Sequence, residues 1–259
     1  MPADMTTLNT ERLTLTIANR TLCRGLNAEF NPGENWVILG ANGSGKTTLL
    51  HALAGLREPD QGLAVLDGVP VGQIPHRQRA RRLGVLFQDI NSEFPATVLE
   101  TVLTGRYPRL ERWQWESTED YLAAEAALDA VGLTGFAHRS LATLSGGERR
   151  RVDIAALLAQ DAPICFMDEP TNHLDLRHQI QILELLSARS DRPGHFNVFV
   201  LHDINLAVRF GSHGIMLFND GQYLCGPLPT IIERTNLERL YHCRLREVRS
   251  DGTPWYLPD

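Results

Sequence analysis

Apolar runs are short in this 259-residue chain. Stretches such as IAALLA (154–159) and NVFVL (197–201) fall well below the 18 or so residues that cross a bilayer. The start, MPADMTTLNTER, lacks the basic-then-apolar order of a secretory signal. Cysteine is scarce: Cys23, Cys165, Cys225 and Cys243 lie far apart and form no CxxC pair, which argues against a disulfide framework or a thiolate metal site and for free thiols in a reducing compartment. Positive charge is also short, 25 Lys and Arg against 31 Asp and Glu for a net charge of −6, so a general nucleic-acid binder is disfavoured. There is no internal repeat, sustained heptad, long linker or low-complexity tail. These absences predict a soluble cytoplasmic protein whose membrane role, if any, runs through a partner.

What is present is a globular composition, 43% apolar and 22% charged. The length suits one large domain, or a domain carrying a smaller lobe. Leu13, Leu15 and Ile17 alternate with threonines, and Leu26, Ala28 and Phe30 repeat the pattern, which predicts antiparallel strands with one buried face. WVIL (36–39) reads as a buried strand and TTLLHALAGL (47–56) as a helix closed by Gly55. Residues 90–160 read as a helical lobe. In it Ser117-Thr118-Glu119-Asp120 resembles a capping box before a helix at 121–133. Strand and helix then alternate: ICFM (164–167), a helix over 176–189, NVFVL, a helix over 203–210. Both strands are apolar throughout, as in parallel sheets covered on two faces. IMLF-NDG-QYLC (215–225) predicts a hairpin turning at Asp220-Gly221.

Three motifs carry chemistry. Gly40-Ala41-Asn42-Gly43-Ser44-Gly45-Lys46-Thr47 fits GxxxxGK[ST] between a strand and a helix. Its glycines let backbone N–H groups turn towards phosphate oxygens, and the helix start adds partial positive charge. Lys46 would reach the β and γ phosphates, the Thr47 hydroxyl would ligate Mg2+, and Thr48 completes the nucleotide-binding run with Gly40, Asn42, Gly43, Ser44 and Gly45. Asp168-Glu169 follows ICFM, at the strand edge where ligands bind in open α/β sheets. Asp168 suits Mg2+ held through water, and Glu169 suits the polarisation of water attacking the γ phosphate. Leu144-Ser145-Gly146-Gly147-Glu148 opens a helix with capping-box spacing, and its paired glycines leave room for a ligand. Two phosphate-cradling helix starts with one lysine-bearing loop predict a head-to-tail dimer, each nucleotide held between the loop of one copy and the LSGGE of the other.

Phosphate loop, LSGGE, Asp-Glu strand end and a later histidine, in that order, make residues 10–235 resemble the nucleotide-binding subunit of an ABC (ATP-binding cassette) transporter. The resemblance implies an α/β fold: a P-loop NTPase core with a mixed sheet, an N-terminal antiparallel β subdomain and an inserted helical subdomain. It implies one domain over 1–259 with the insert at 90–160. ATP and Mg2+ are the implied substrate and cofactor, with Thr47, Gln88 and Asp168 at the metal. Gln88 matches the glutamine loop that touches Mg2+ and attacking water. Leu174-Asp175 matches a loop crossing the dimer interface, and His202 the histidine that contacts the γ phosphate. Ser145, Gly146, Gly147 and Glu148 would bind the partner subunit's ATP. Implied partners are a second copy of the chain, a separate transmembrane permease docking near Gln88 and residues 90–110, and a periplasmic or extracellular substrate-binding protein, with no nucleic acid. The implied location is the cytoplasmic face of the inner membrane. Two departures stand out. Ile17 falls where the family carries an adenine-stacking aromatic, and Glu148 replaces the commoner glutamine.

DLRHQIQILELL (175–186), LHDINLAVRF (201–210) and the short C-terminal end resemble importers of metal chelates: cobalamin, ferric siderophore or haem. GRYPRLERWQWES leans the reading towards cobalamin. The alternative is a soluble ABC ATPase of iron–sulfur cluster assembly or another non-transport ABC ATPase. Other features have plainer readings. The basic run 76–82 is a solvated helix face, at least one of Arg149, Arg150 and Arg151 pairs with a Glu or Asp across the fold, and His173 and His178 are solvent or interface residues. Trp113 and Trp115 either pack in the lobe or contact a membrane partner.

Overall fold

A computed structural model describes residues 6–88, 95–111, 113–250 and 252–259. The first five residues and positions 90–94 of the expected permease-docking segment lie outside the described residues. Along the chain the elements are β1 (Leu8–Ile17), β2 (Arg20–Phe30), β3 (Asn35–Gly40), α1 (Lys46–Leu53), β4 (Gln61–Leu66), β5 (Val69–Pro70), α2 (His76–Ala80), β6 (Leu83–Leu86), α3 (Val98–Leu103), α4 (Thr118–Ala130), α5 (Gly146–Gln160), β7 (Ile164–Asp168), α6 (Leu176–Ser187), β8 (Phe196–Val200), α7 (Ile204–Phe210), β9 (His213–Leu217), β10 (Tyr223–Pro227), α8 (Leu228–Ile231), α9 (Arg234–Tyr241), β11 (Leu245–Ser250) and β12 (Thr253–Pro258). They fall into two units, Met1–Ile74 with Ser187–Asp259, and Pro75–Leu186.

The first unit holds two sheets of different character. β2, β1, β4 and β5 form an antiparallel sheet in that order. The alternation of β1 and β2 buries Leu8, Leu13, Leu15, Leu26 and Phe30 on one face. Ile17 breaks the expected pattern at 41% exposure, because the tight β1–β2 turn begins there, with Ala18 and Asn19 at φ 44° and 67°. The second sheet is mixed: β3 lies between β8 and β9, parallel to both, and β10 adds antiparallel to β9. β8 is buried along its length, as its largely apolar sequence predicts, and its polar Asn197 donates to Asn35 Oδ1 at 2.8 Å. The predicted hairpin is β9–β10, with Gly221 at φ 81° in its turn. α1 packs on β3 and β8, and Phe30 joins the sheets by ring contacts to Trp36 and Phe196. The C-terminal end is more built than the sequence suggests: α8 and α9 lead to the β11–β12 hairpin, and β12 packs against α7.

In the second unit β6 pairs parallel with β7, Leu86 opposite Met167. α3, α4 and α5 pack on one another. The Ser117–Asp120 capping box forms as predicted, and the helix starts three residues earlier than its apolar pattern, at Thr118. Asp120 also binds the buried Arg106, Nε to Oδ1 at 2.7 Å. The basic run is not a merely solvated face. Arg79 is buried, while Arg77 and Arg81 both donate to the Pro108 carbonyl. Trp113 and Trp115 are 89% and 86% exposed, so core packing is excluded for both. No helix among the described residues is long and apolar enough to cross a membrane. The cysteines are free, and burial pushes the Cys23 thiol up to about 11.

Candidate functional site

In the first unit the glycine-rich loop joins buried β3 to α1. Gly43 and Gly45 take φ of 73° and 98°, left-handed values that a side chain resists. The missing Cβ of Gly45 also gives way to Leu22 of β2, whose nearest methyl would lie at 2.5 Å. No side chain caps α1, so its first-turn N–H groups stay available to an anion. Lys46 is buried and folds back, donating from Nζ to the carbonyls of Gly40 at 2.9 Å and Ala41 at 3.1 Å. The Ser44 hydroxyl is fully buried with no hydrogen-bond partner among the described residues. A buried unpaired hydroxyl, an uncapped helix start and a cation resting on loop carbonyls fit a phosphate chain. Thr47 and Thr48 are half-buried on the first turn, and Asn42 is exposed at the loop's outer side. Ile38 pairs with Val200, so Gly40 and His202 lie level at one sheet edge, with His202 exposed beyond β8. Arg20 donates from Nη2 to the Gly43 carbonyl at 2.9 Å.

In the second unit Asp168 ends β7 and is fully buried, and Glu169 follows, also buried. The β6–β7 register carries Gln88 level with Glu169, and its Nε2 donates to Glu169 Oε2 at 3.1 Å. Asn172 Nδ2 donates to the same oxygen. Within this unit the buried Asp168 carboxylate and the Gln88 amide oxygen are hard oxygen donors of the kind Mg2+ selects. Asn172 escaped the sequence reading. Its signal is weak: one polar residue three positions after the glutamate.

The LSGGE segment forms a full capping box on α5. Ser145 N and Oγ each donate to Glu148 Oε2 at 2.8 Å, and Glu148 N donates to Ser145 Oγ at 3.3 Å. The Ser145 backbone N–H, then its hydroxyl, lower the Glu148 pKa. Ser145, Gly146, Gly147 and Glu148 line a concavity of about 480 Å³ with His173 and Asp175. A Cβ at Gly147 would meet the His173 carbonyl at 2.8 Å, whereas one at Gly146 would stand 3.7 Å from the His173 side chain. Asp175 accepts from His178 N at 2.9 Å and so caps the start of α6. The three arginines after the cap all reach backbone carbonyls. Arg149 reaches Leu141 and Ala142, Arg151 reaches Val131 and Gly132, and Arg150 turns inward. Their charges also reach acids: Arg150 lowers the pKa of Asp153 against the rise that burial imposes, and Arg151 lowers those of Glu148 and Asp175.

The family model described as ABC transporter matches residues 23–172. The chain is 38% identical over 264 residues to the ferric enterobactin transport ATP-binding protein FepC of Escherichia coli (strain K12), covering 100% of this chain and 96% of that one. It is 40% identical over 233 residues to the hemin import ATP-binding protein HmuV of Myxococcus xanthus (strain DK1622), covering 87% and 86%. Among solved structures it is similar to a metal-chelate type ABC transporter in an inward-facing conformation, with TM-score 0.84, 28% identity and coverage of 98% and 97%. It is also similar to the ATP-binding cassette MJ0796 in a dimeric post-hydrolysis state bound to ADP and Pi, with TM-score 0.73, 30% identity and coverage of 83% and 95%.

Proposed function

Since this chain belongs to the ABC transporter family, as an ATP-hydrolysing ATP-binding subunit, we propose that two copies assemble head to tail around two ATP molecules and drive import through a separate permease. The observation that carries this reading is the phosphate loop, with its uncapped helix start, buried Lys46 and unpaired Ser44 hydroxyl. Gly40, Asn42, Gly43, Ser44, Gly45, Lys46, Thr47 and Thr48 hold the nucleotide, with Lys46 on the β and γ phosphates. Ser145, Gly146, Gly147 and Glu148 meet the ATP of the partner copy, and Asp175 lies in the loop facing it. Thr47, Gln88 and Asp168 are the residues that would hold Mg2+, which would neutralise developing phosphate charge.

Glu169 takes the proton of the attacking water. The Gln88 and Asn172 amides donating to its carboxylate aim it and keep its second oxygen for that water. His202, at the same sheet edge as Gly40, contacts the γ phosphate. Hydrolysis removes the group bridging the two copies, and the dimer reopens. Residues 90–160 act as an inserted helical subdomain of one domain over 1–259; the mutual packing of α3, α4 and α5 supports this.

The cargo proposed is a ferric siderophore or haem, supported by the names of FepC and HmuV. Neither name supports cobalamin, and the segment that favoured it bears exposed tryptophans on a subunit that binds no cargo. An iron–sulfur assembly role is not favoured, since both relatives are transport proteins. Trp113 and Trp115, exposed as they are, form part of the permease contact at the cytoplasmic face of the membrane, and a substrate-binding protein delivers the chelate.

Glu169→Gln tests the scheme. It retains ATP binding, lowers turnover at least about 100-fold and traps a dimer visible by light scattering. Lys46→Ala instead weakens nucleotide binding itself. A Glu169→Gln chain that stays monomeric at saturating ATP contradicts the shared site.

A further inference from the structure

Arg150 lies on the buried face of α5, in line with Ile154 and Leu157 at helical spacings of four and three, and it is 3% exposed. Its guanidinium gathers carbonyls from two segments. Nη1 donates to Phe87 at 2.6 Å and Gln88 at 3.3 Å. Nη2 donates to Asp168 at 2.5 Å and Glu169 at 2.8 Å, and Nε donates to Pro170 at 3.4 Å. The Asp168 and Glu169 carbonyls belong to the two peptide planes flanking the Glu169 Cα. Glu169 has φ of 48°, a left-handed value that a glutamate resists. It also precedes Pro170, which drives the residue before it towards extended backbone. One nitrogen thus grips both sides of a doubly disfavoured conformation.

We propose that Arg150 is a positioning residue for hydrolysis: it locks the left-handed backbone of Glu169 and the turn at Gln88 so that carboxylate and amide meet at 3.1 Å. The fork suits this task. It offers donors in a fixed plane and stays charged at any working pH, whereas a lysine brings one point charge. Arg150 acts through Glu169 and Gln88, not on substrate. The inference rests on the reading of Glu169 as the group that works on the attacking water.

The test uses Arg150→Gln and Arg150→Lys in the full chain. Steady-state kinetics should show kcat lowered about 10- to 100-fold, the size expected of a misplaced catalytic group, with KM for ATP within about twofold. Lysine should restore part of the loss. The decisive readout is a double-mutant cycle in single-turnover hydrolysis. On a Glu169→Gln background, Arg150→Gln should cost less than about threefold more, because the group it positions has lost its function. A kcat within twofold of the parent overturns the proposal. So does a full extra loss on the Glu169→Gln background, which marks a scaffold role, and so does failure of both arginine variants to fold. If Glu169→Gln alone leaves turnover intact, the reading of Glu169 fails first, and the cycle shows this independently.

Discussion

Ser145→Ala separates a helix cap from a phosphate ligand at one residue. The hydroxyl accepts from Glu148 N and donates to Glu148 Oε2, while Ser145 N donates to that same oxygen independently of the side chain. Alanine therefore removes half of the reciprocal box and leaves the backbone half. The cost to the helix is about 1 kcal/mol. For a chain of this size that lowers Tm by about 2–4 °C. The backbone N–H of Ser145 is the larger cause of the lowered Glu148 pKa, so the carboxylate stays ionised in the variant. If in the closed dimer the hydroxyl turns its single proton from Glu148 to the phosphate of the partner copy's ATP, a charge-assisted hydrogen bond worth about 1.5–3 kcal/mol is lost in the variant. That predicts turnover reduced about 10- to 100-fold, with ATP binding to the monomer unchanged.

ATP hydrolysis measured against protein concentration reads the first effect, equilibrium binding at low protein reads the second, and calorimetry reads the cap. Turnover within twofold of the parent, alongside the expected fall in Tm, refutes the ligand role and leaves Ser145 a cap. Glu148→Gln makes the complementary change. It keeps an acceptor for the cap and removes a negative charge beside the phosphate, so the dimer should form at lower ATP and lower protein concentration.

The helical packing gives a pH prediction. The Ser117 backbone N–H first, then Arg106, hold the Asp120 carboxyl at about 2, below its ordinary 3.8. A depressed carboxylate stabilises the fold above the ordinary value. That contribution, on the order of 1–2 kcal/mol, should vanish as pH falls from about 4 towards 2 in denaturant titrations. Asp120→Asn at neutral pH leaves Arg106 buried without its counter-charge and should cost about 3 kcal/mol, a gap that narrows in acid. Trp113→Ala with Trp115→Ala should change stability by less than about 0.5 kcal/mol, since both side chains face solvent. The pair should nonetheless weaken co-purification with a permease at least about tenfold; undiminished retention in membranes argues against their role at that contact.

Legibility in the sequence followed the range of the interactions. The phosphate loop, both capping boxes and the Asp220-Gly221 turn were readable because each is settled within four to eight residues. Arg150 was not, because three adjacent arginines look alike until the buried face of α5 selects one of them. The exposure of Ile17 and the structure of α8, α9, β11 and β12 depended on turn geometry and distant packing. A second demand on Gly147 is hidden for a similar reason: the carbonyl that its missing Cβ makes room for lies 26 positions on, at His173.

That contact ties the strand-end acids to the LSGGE helix. From Glu169 to Asp175 the chain turns through two left-handed residues, Glu169 at φ 48° and His173 at 64°. Asn172 N donates to the Glu169 carbonyl at 3.1 Å and Leu174 N to that of Thr171 at 3.2 Å, so the loop has little slack. Arg150 grips its first residues, and Gly147 abuts the His173 carbonyl near its end. Gly147→Ala then sets two effects against each other. Alanine in a helix gains about 1 kcal/mol over glycine, while a Cβ at 2.8 Å from a backbone oxygen forces a shift costing about 1–3 kcal/mol. Net stability should therefore fall by no more than about 2 kcal/mol. Turnover should fall further than that loss explains, because the displaced carbonyl belongs to the loop that carries Glu169 at its other end. A variant melting near the parent temperature with normal kcat would mean that the loop absorbs the shift, and that the LSGGE helix and the acidic pair are mechanically independent.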